Sequence, residues 1–355
     1  MGPGFPKRSR VWRFGVVASA AALLTAGAGL GTDIGRSHAA SHVAAASITV
    51  GLITKTDTNP FFVKMKQGAQ AEASAKGAKL MSAAGKFDGD NASQVTAIEN
   101  MITAGVKGIM ITPSNTKAIV PTIAKARKAG ILVIALDTPT DPASGVDALF
   151  ATNNFKAGVL IGKYAKAFEG KKASSAKIAT LDLAPGITVG ILRHNGFLNG
   201  FGASSVGASA SNLATSPQVV CSQDTAGDQA KGQTAMETCL QKNPSINLVY
   251  TINEPAAFGA FTALKSAGKS KGVLVVSVDG GCTGVRGVRD GKIAATSQQY
   301  PLKMAKEGVD AIVNYAKTHQ KVHGYHDTGV TLIAKKAIAG VPSQSVSYGL
   351  AHCWG

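Results

Sequence analysis

Two aspartates in the chain stand where chemistry is expected. Asp137 closes the apolar run ILVIALD and Asp279 closes VLVVSVD, so each carboxylate emerges where a buried strand ends. A carboxylate accepts up to four hydrogen bonds, and the vicinal hydroxyls of a sugar can supply two in parallel. The plain alternative is that each caps amides of the loop that follows. Arg193, in ILRHNGFLNGF, is expected just ahead of a helix carrying Phe197 and Phe201. Its planar guanidinium can fork onto a hydroxyl and an aspartate together, or sit in a surface ion pair. Asn253 in TINEP and Gln299 in SQQYP add planar amides at a strand end and a chain crossover, unless they only satisfy loop backbone.

The run TKTDTNPFFVKM raises a second possibility. Asn59 and Pro60 form a helix-start signal, a cap followed by proline at the first helical position. Phe61 and Phe62 come next. Adjacent helical residues point about 100° apart, so one core face cannot take both rings, and at least one is expected at a cleft. An aromatic face beside amides and carboxylates suits a sugar, whose C–H face packs on the ring while its hydroxyls find polar partners. Core packing of both rings is the competing reading.

The elements that position these residues alternate. From Ser47 onward, short apolar runs such as ITVGLI, GIMIT, KIATLDL and LVYTI are separated by helical stretches such as AIVPTIAKARKAG and AAFGAFTALKSAG. Apolar runs without alternation read as strands covered on both faces, so the expected class is α/β with mostly parallel sheets. A faint repeat is visible between GIMITPSNTKAIVPTIAKARKAGILVIALDTP and LVYTINEPAAFGAFTALKSAGKSKGVLVVSVDGG. Each copy has strand, polar turn, helix and strand, and each ends on one of the two aspartates. In open α/β sheets ligands bind at that carboxyl edge, so two such lobes would enclose a cleft.

Bulk properties narrow the class. With 355 residues, 45% hydrophobic and 16% charged, the chain is globular and long enough for two domains. The net charge is +17; residues 1–46 hold five basic and one acidic group, which leaves +13 for the rest. The basic residues are scattered, without the run of five or more typical of a nucleic-acid patch, so no nucleic-acid partner is expected. Residues 1–46 read as a signal peptide, with a basic start, an apolar run and a small-residue segment that places cleavage near Ala46. An uncleaved anchor is the alternative. No cysteine precedes Cys221, so no lipobox is expected at this end. In an exported chain the four cysteines favour two disulfides. Of three possible connectivities, Cys221–Cys239 and Cys282–Cys353 are preferred. No CxxC occurs; the pairs His38/His42 and His319/His323 are weak metal signals, and no metal or cofactor is expected.

The motifs KTDTNPFF, ALDTP, LRHNGF, TINEP, SVDGG and TSQQYP resemble, in order and spacing, the ribose-binding-protein family, the type I sugar-binding components of ABC importers. Stretches including TKTDTNPFFVKM, GDNASQVTAIEN, DGGC and the terminal CWG are most similar to its fructose-binding members. The resemblance implies a two-lobed fold with lobe 1 at 47–152 plus 300–328 and lobe 2 at 153–299 plus 329–355. Three crossovers near Thr152, Gln299 and Thr328 would form the hinge. It implies a sugar site of Asn59, Phe61, Phe62 and Asp137 from one lobe and Arg193, Asn253 and Asp279 from the other, with Gln299 at the hinge. It further implies a monomer that binds a monosaccharide, fructose by the closest motifs, and delivers it to a membrane permease with its ATPase. Three positions depart from the ribose type: Lys55 replaces a small hydroxyl residue, Thr138 an arginine, and Gly227 a stacking phenylalanine. Lys55, Thr138 and Thr112 are therefore expected to set specificity.

Rival readings are an enzyme, a repressor and a sensor. Asp137 and Asp279 could serve a glycosidase, but no GxSxG, HExxH or strand-linked GxGxxG occurs. A repressor would begin with a helix-turn-helix, where this chain reads as an export signal. A sensor would keep the fold and change only the receptor. Trp354, beside Cys353, is expected near lobe 2 as a reporter of closure.

Overall fold

The computed structural model describes residues 47–355. The leader expected at 1–46, with His38 and His42, lies outside the described residues.

From Ser47 the chain runs through β1 (Thr49–Thr54), α1 (Pro60–Ala75), β2 (Lys79–Ala84), α2 (Asn91–Thr103), β3 (Gly108–Ile111), α3 (Val120–Lys128), β4 (Leu132–Leu136) and β5 (Ala148–Ala151). A second set follows: α4 (Asn154–Glu169), β6 (Ile178–Asp182), α5 (Thr188–Phe201), β7 (Val219–Asp224), α6 (Gln229–Lys242), β8 (Leu248–Thr251), α7 (Glu254–Ser266), β9 (Leu274–Asp279), α8 (Cys282–Arg289) and β10 (Ala295–Gln298). The chain then returns with α9 (Pro301–Thr318) and β11 (Gly324–Asp327), and ends with β12 (Thr331–Ala334) and α10 (Val346–His352).

Two six-stranded sheets result. The first has the order β11-β5-β4-β3-β1-β2, the second β12-β10-β9-β8-β6-β7. All pairings are parallel except β10 with β12. The two sheets share one strand order and differ only in the direction of the last edge strand, β11 or β12, so β3-α3-β4 and β8-α7-β9, the two copies of the faint repeat, occupy equivalent places. The α/β expectation holds. The reason lies in burial: β3, β4, β8 and β9 are buried at every residue, between helices on both faces. In the first lobe α1 and α9 cover one face, and α2 and α3 the other. In the second, α4 and α5 face α6 and α7 across the sheet.

The chain passes between sheets three times, at Thr152–Asn153, Gln299–Tyr300 and Thr328–Val330. In each sheet the order reverses beside the first strand, at β1 and β6, which opens a crevice at the carboxyl edge. Those two edges face each other. Both disulfides, Cys221–Cys239 and Cys282–Cys353, are formed, and both lie in the second lobe. The first ties β7 to α6; the second ties the start of α8 to the C-terminus.

Candidate functional site

A chamber lies between the facing sheet edges. Of the eleven residues expected at a ligand site, nine line it: Lys55, Asn59, Phe61, Phe62, Asp137, Arg193, Asn253, Asp279 and Gln299. Thr112 and Thr138 do not. Thr112 is fully buried beneath the edge, where its carbonyl accepts from Gln94 Nε2 at 2.8 Å, and Thr138 donates its hydroxyl to Asp137 Oδ2 at 2.8 Å. Both side chains are fully buried behind the lining residues, so these two support the chamber wall instead of forming it.

Arg193 is the centre of the constellation. It sits inside α5, not ahead of a helix as expected: α5 starts at Thr188, five residues earlier, with Ile187 at the cap position and no side-chain cap. Its Nη2 donates to Asp137 Oδ1 of the first lobe at 3.2 Å, its Nη1 to the Ile252 carbonyl at 3.1 Å, and its Nε to Asn154 Oδ1 at 2.8 Å. Asp279 Oδ1 lies 3.8 Å from Nη1. The guanidinium thus stands between the two strand-end aspartates. Its position is fixed by the close packing of α4 on α5, which glycine alone allows: a Cβ on Gly158 would lie 2.2 Å from the Arg193 carbonyl oxygen.

Both aspartates occupy the left-handed half of backbone space, with φ of 60° at Asp137 and 141° at Asp279. Such conformations cost a non-glycine residue on the order of 1–3 kcal/mol and concentrate at functional sites. Neighbours hold them there. Asn154 Nδ2 donates to the Asp137 carbonyl at 2.9 Å, and Gln299 donates its amide N–H and its side-chain Nε2 to Asp279, both at 2.9 Å.

The amides serve two purposes at once. Asn59 Oδ1 caps α1 by accepting from Phe61 N at 3.0 Å, and Asn253 Oδ1 caps α7 by accepting from Ala256 N at 3.1 Å. Asn253 also donates to the Gly227 carbonyl at 2.9 Å. Gly227 is bound into that loop with φ of 65°, where a Cβ would come within 2.7 Å of the Asn253 amide nitrogen. Phe61 and Phe62 meet edge to face, 5.5 Å between centroids. Each ring belongs both to the lobe 1 core and to the chamber wall, so core and cleft are not alternatives for them.

Two residues absent from the sequence expectations matter here. Asp88 lines the chamber and lies 3.6 Å from Lys55 Nζ, with both side chains buried. Burial pushes the Asp88 carboxyl up, against the opposing pull of Lys55. Its signal, FDGD in a turn after the poorly patterned β2, resembles any polar loop. Glu254 is buried behind Asp279 and accepts from Gly280 N at 2.8 Å, Gly281 N at 3.1 Å and Thr296 Oγ1 at 2.8 Å. Burial raises Glu254 to about 8, helped by the charge of Asp279, and three donated hydrogen bonds oppose this without offsetting it. Burial likewise raises Asp279 to about 7, with Arg193 opposing and Asp137 adding to the rise. Its place just after the Asn253 cap makes Glu254 read as a routine first-turn acid.

Two buried acceptors among the chamber residues make no hydrogen bond: Gln299 Oε1, and Asp88 Oδ1, which has the Lys55 ammonium at 3.6 Å, beyond hydrogen-bond distance. A buried acceptor left unsatisfied costs about 1–3 kcal/mol. Among the described residues no group of three or more His, Cys, Asp or Glu side chains is placed to hold a metal ion. No helix among them is long and apolar enough to cross a membrane. The arrangement offers hydrogen-bond acceptors, a guanidinium, an ammonium and two aromatic rings, all inside a shared enclosure. That is a set for gripping a neutral polyhydroxylated molecule.

A periplasmic binding protein domain matches residues 50–321. The ribose import binding protein of Escherichia coli (strain K12) is 32% identical over 296 residues, covering 82% of this chain and 93% of that protein. The ribose import binding protein of Bacillus subtilis (strain 168) is 31% identical over 278 residues, covering 77% of this chain and 84% of that one. Among solved structures, an ABC transporter periplasmic solute binding protein from Actinobacillus succinogenes 130z with bound D-allose superposes with a TM-score of 0.71 at 28% identity, over 81% of this chain and 98% of its own.

Proposed function

We infer this protein's role from one premise: the chain belongs to the ribose-binding-protein family of sugar-binding proteins of ABC importers. It is a binding protein, not an enzyme, and a member of this family works outside the cytoplasm. In this reading it takes a monosaccharide into the inter-lobe chamber and delivers it to a membrane permease driven by an ATPase.

One observation carries the assignment to this chamber: two buried acceptors without a hydrogen bond, Asp88 Oδ1 from the first lobe, with only the Lys55 ammonium at 3.6 Å, and Gln299 Oε1 from the hinge, beside Asp137, Asp279 and Arg193. Sugar hydroxyls supply the missing donors. Phe61 and Phe62 take the C–H face of the ring. The lobes, 47–152 with 300–328 and 153–299 with 329–355, turn about the crossovers at Thr152, Gln299 and Thr328. Hinge closure of this kind is the known behaviour of periplasmic binding proteins as a class. A ligand favours the closed form only through contacts absent from the open one, so the sugar must touch both lobes.

The sugar we name is D-fructose. The support is the resemblance of TKTDTNPFFVKM, GDNASQVTAIEN, TINEPAA and CWG to fructose-binding members, and a pocket altered by Lys55 with Asp88, Thr138 and Gly227. The relatives named for ribose and D-allose make other pentoses and hexoses, and polyols, the alternatives. In this reading the protein is an exported monomer whose leader is residues 1–46. Calorimetric titration with fructose, ribose, allose, xylose, glucose, galactose and polyols, followed by product analysis, tests the reading. Saturable one-site binding of fructose, recovered intact, is the expected result. Tight binding of another sugar overturns the specificity, and turnover or no binding overturns the carrier.

A further inference from the structure

Trp354 belongs to lobe 2 by connection and to lobe 1 by packing. α10 ends at His352, and Cys353 is bonded to Cys282 at the start of α8, which ties the tail to lobe 2. Cys282 N donates to the Trp354 carbonyl at 2.9 Å. The indole lies against Gly281, where a Cβ would meet two ring carbons at 3.2 Å. From that anchor the ring reaches across to the first lobe. It meets Phe61 edge to face at 5.4 Å and is buried with Phe62 and Met65 in the lobe 1 core, only 6% exposed. Its Nε1 donates to the Gln299 carbonyl, at a crossover, at 3.0 Å.

One side chain thus touches lobe 2 through its backbone, lobe 1 through its ring, and the crossover through its N–H. These contacts coexist only with the lobes as close as they are here. Any rotation that parts Phe61 from Gly281 must pull the ring from one of them. Phe61 is itself a chamber wall, so the indole also fixes the ring that faces the ligand.

We propose that Trp354, held by the Cys282–Cys353 bond, is a positioning residue for binding: it backs Phe61 against the ligand and latches the closed lobes together. The proposal rests on the sugar-carrier reading. It makes affinity depend on an oxidising environment through one specific disulfide. Reduction of Cys282–Cys353 frees the tail, whereas Cys221–Cys239 joins β7 to α6 on the outer core of lobe 2 and has no part in the latch.

The test uses the purified protein, D-fructose as probe, and the variants Trp354→Ala, Trp354→Phe, Cys282→Ser with Cys353→Ser, and Cys221→Ser with Cys239→Ser. Affinity changes within one interface reside mostly in the dissociation rate. Stopped-flow measurement is expected to show dissociation faster by ~10–100-fold for Trp354→Ala and for the Cys282/Cys353 pair. Trp354→Phe, which keeps a ring but loses the N–H, should be intermediate, and the Cys221/Cys239 pair should match wild type. Small-angle scattering of the sugar-free protein gives a readout independent of the ligand: Trp354→Ala should have the larger radius of gyration. Wild-type dissociation and an unchanged radius in Trp354→Ala overturn the latch. Failure of wild type to bind any sugar overturns the carrier reading, and the scattering comparison then decides the latch alone.

Discussion

Asp137 and Asp279 end equivalent strands of equivalent sheets, share a left-handed backbone, and approach the same guanidinium. Their surroundings differ. Asp137 is held by neutral donors, the Thr138 hydroxyl on its carboxylate and the Asn154 amide on its carbonyl, with Arg193 at 3.2 Å. Asp279 has Arg193 farther off at 3.8 Å and a second buried carboxyl, Glu254, behind it. The second lobe thus presents an acceptor whose charge responds to protons near neutrality, through burial and its neighbours. A shared fold therefore duplicates the place of a functional group without duplicating its chemistry.

Removing the group common to both lobes should have the largest effect. Arg193→Ala leaves both aspartates buried without their cation, a change that costs on the order of 3–5 kcal/mol. Denaturant unfolding should show that loss, and titration should show fructose affinity down by more than ~100-fold, each 1.4 kcal/mol being tenfold. If Arg193 served only one lobe, Asp137→Asn would reproduce the whole effect; we expect it to reproduce about half.

Next comes the covalent asymmetry, since both disulfides found lie in lobe 2. Breaking Cys221–Cys239 should lower unfolding stability by about 3 kcal/mol in the chain-entropy view, with sugar affinity unchanged. A loss of affinity alongside would mean that the outer core of lobe 2 shapes the cleft.

The proton-linked difference should be smaller. Asp279 and Glu254 titrate above their unfolded values, so the stability they contribute is full below about pH 4 and is lost as pH rises through about 7 and 8. Lobe 2 holds a further source of the same sign. Burial is the largest single influence on His194 and pulls it down, but the hydrogen bond to Asp182 at 2.7 Å, the Asp182 charge and the Ala214 carbonyl together outweigh it and hold the imidazole above its ordinary value. Wild type should therefore be less stable at about pH 8 than at about pH 5, the loss falling between those values. Unfolding curves of Glu254→Gln should show much of that slope gone, and an unchanged slope would place its source elsewhere. The smallest effect is expected at Thr138→Val, which removes one neutral donor from Asp137: about 1 kcal/mol in stability and roughly fivefold in affinity.

Much of this difference was invisible in the sequence, for physical reasons. Strand-end aspartates and capped helix starts announce themselves, because apolar runs and Asn-Pro pairs are local signals. The equivalence of the two sheets was likewise legible in the repeated strand-helix-strand plan. Arg193 was misplaced relative to α5 because that helix has no side-chain cap to mark its start. Thr112 was expected in the cleft and lies beneath it, since which side of a strand end faces a partner lobe is decided by tertiary packing. Asp88 and Glu254 act through neighbours distant in sequence, Lys55 and Asp279. Trp354 was expected near lobe 2; the disulfide does place its backbone there, but its ring crosses to Phe61.

A crystal structure of the protein with D-fructose bound tests the central claim most directly. It should place one sugar ring on Phe61 and Phe62, with hydroxyls donating to Asp137 of the first lobe and Asp279 of the second, and to Asp88 Oδ1 and Gln299 Oε1. A sugar that touches one lobe alone, or binds outside this chamber, would contradict it.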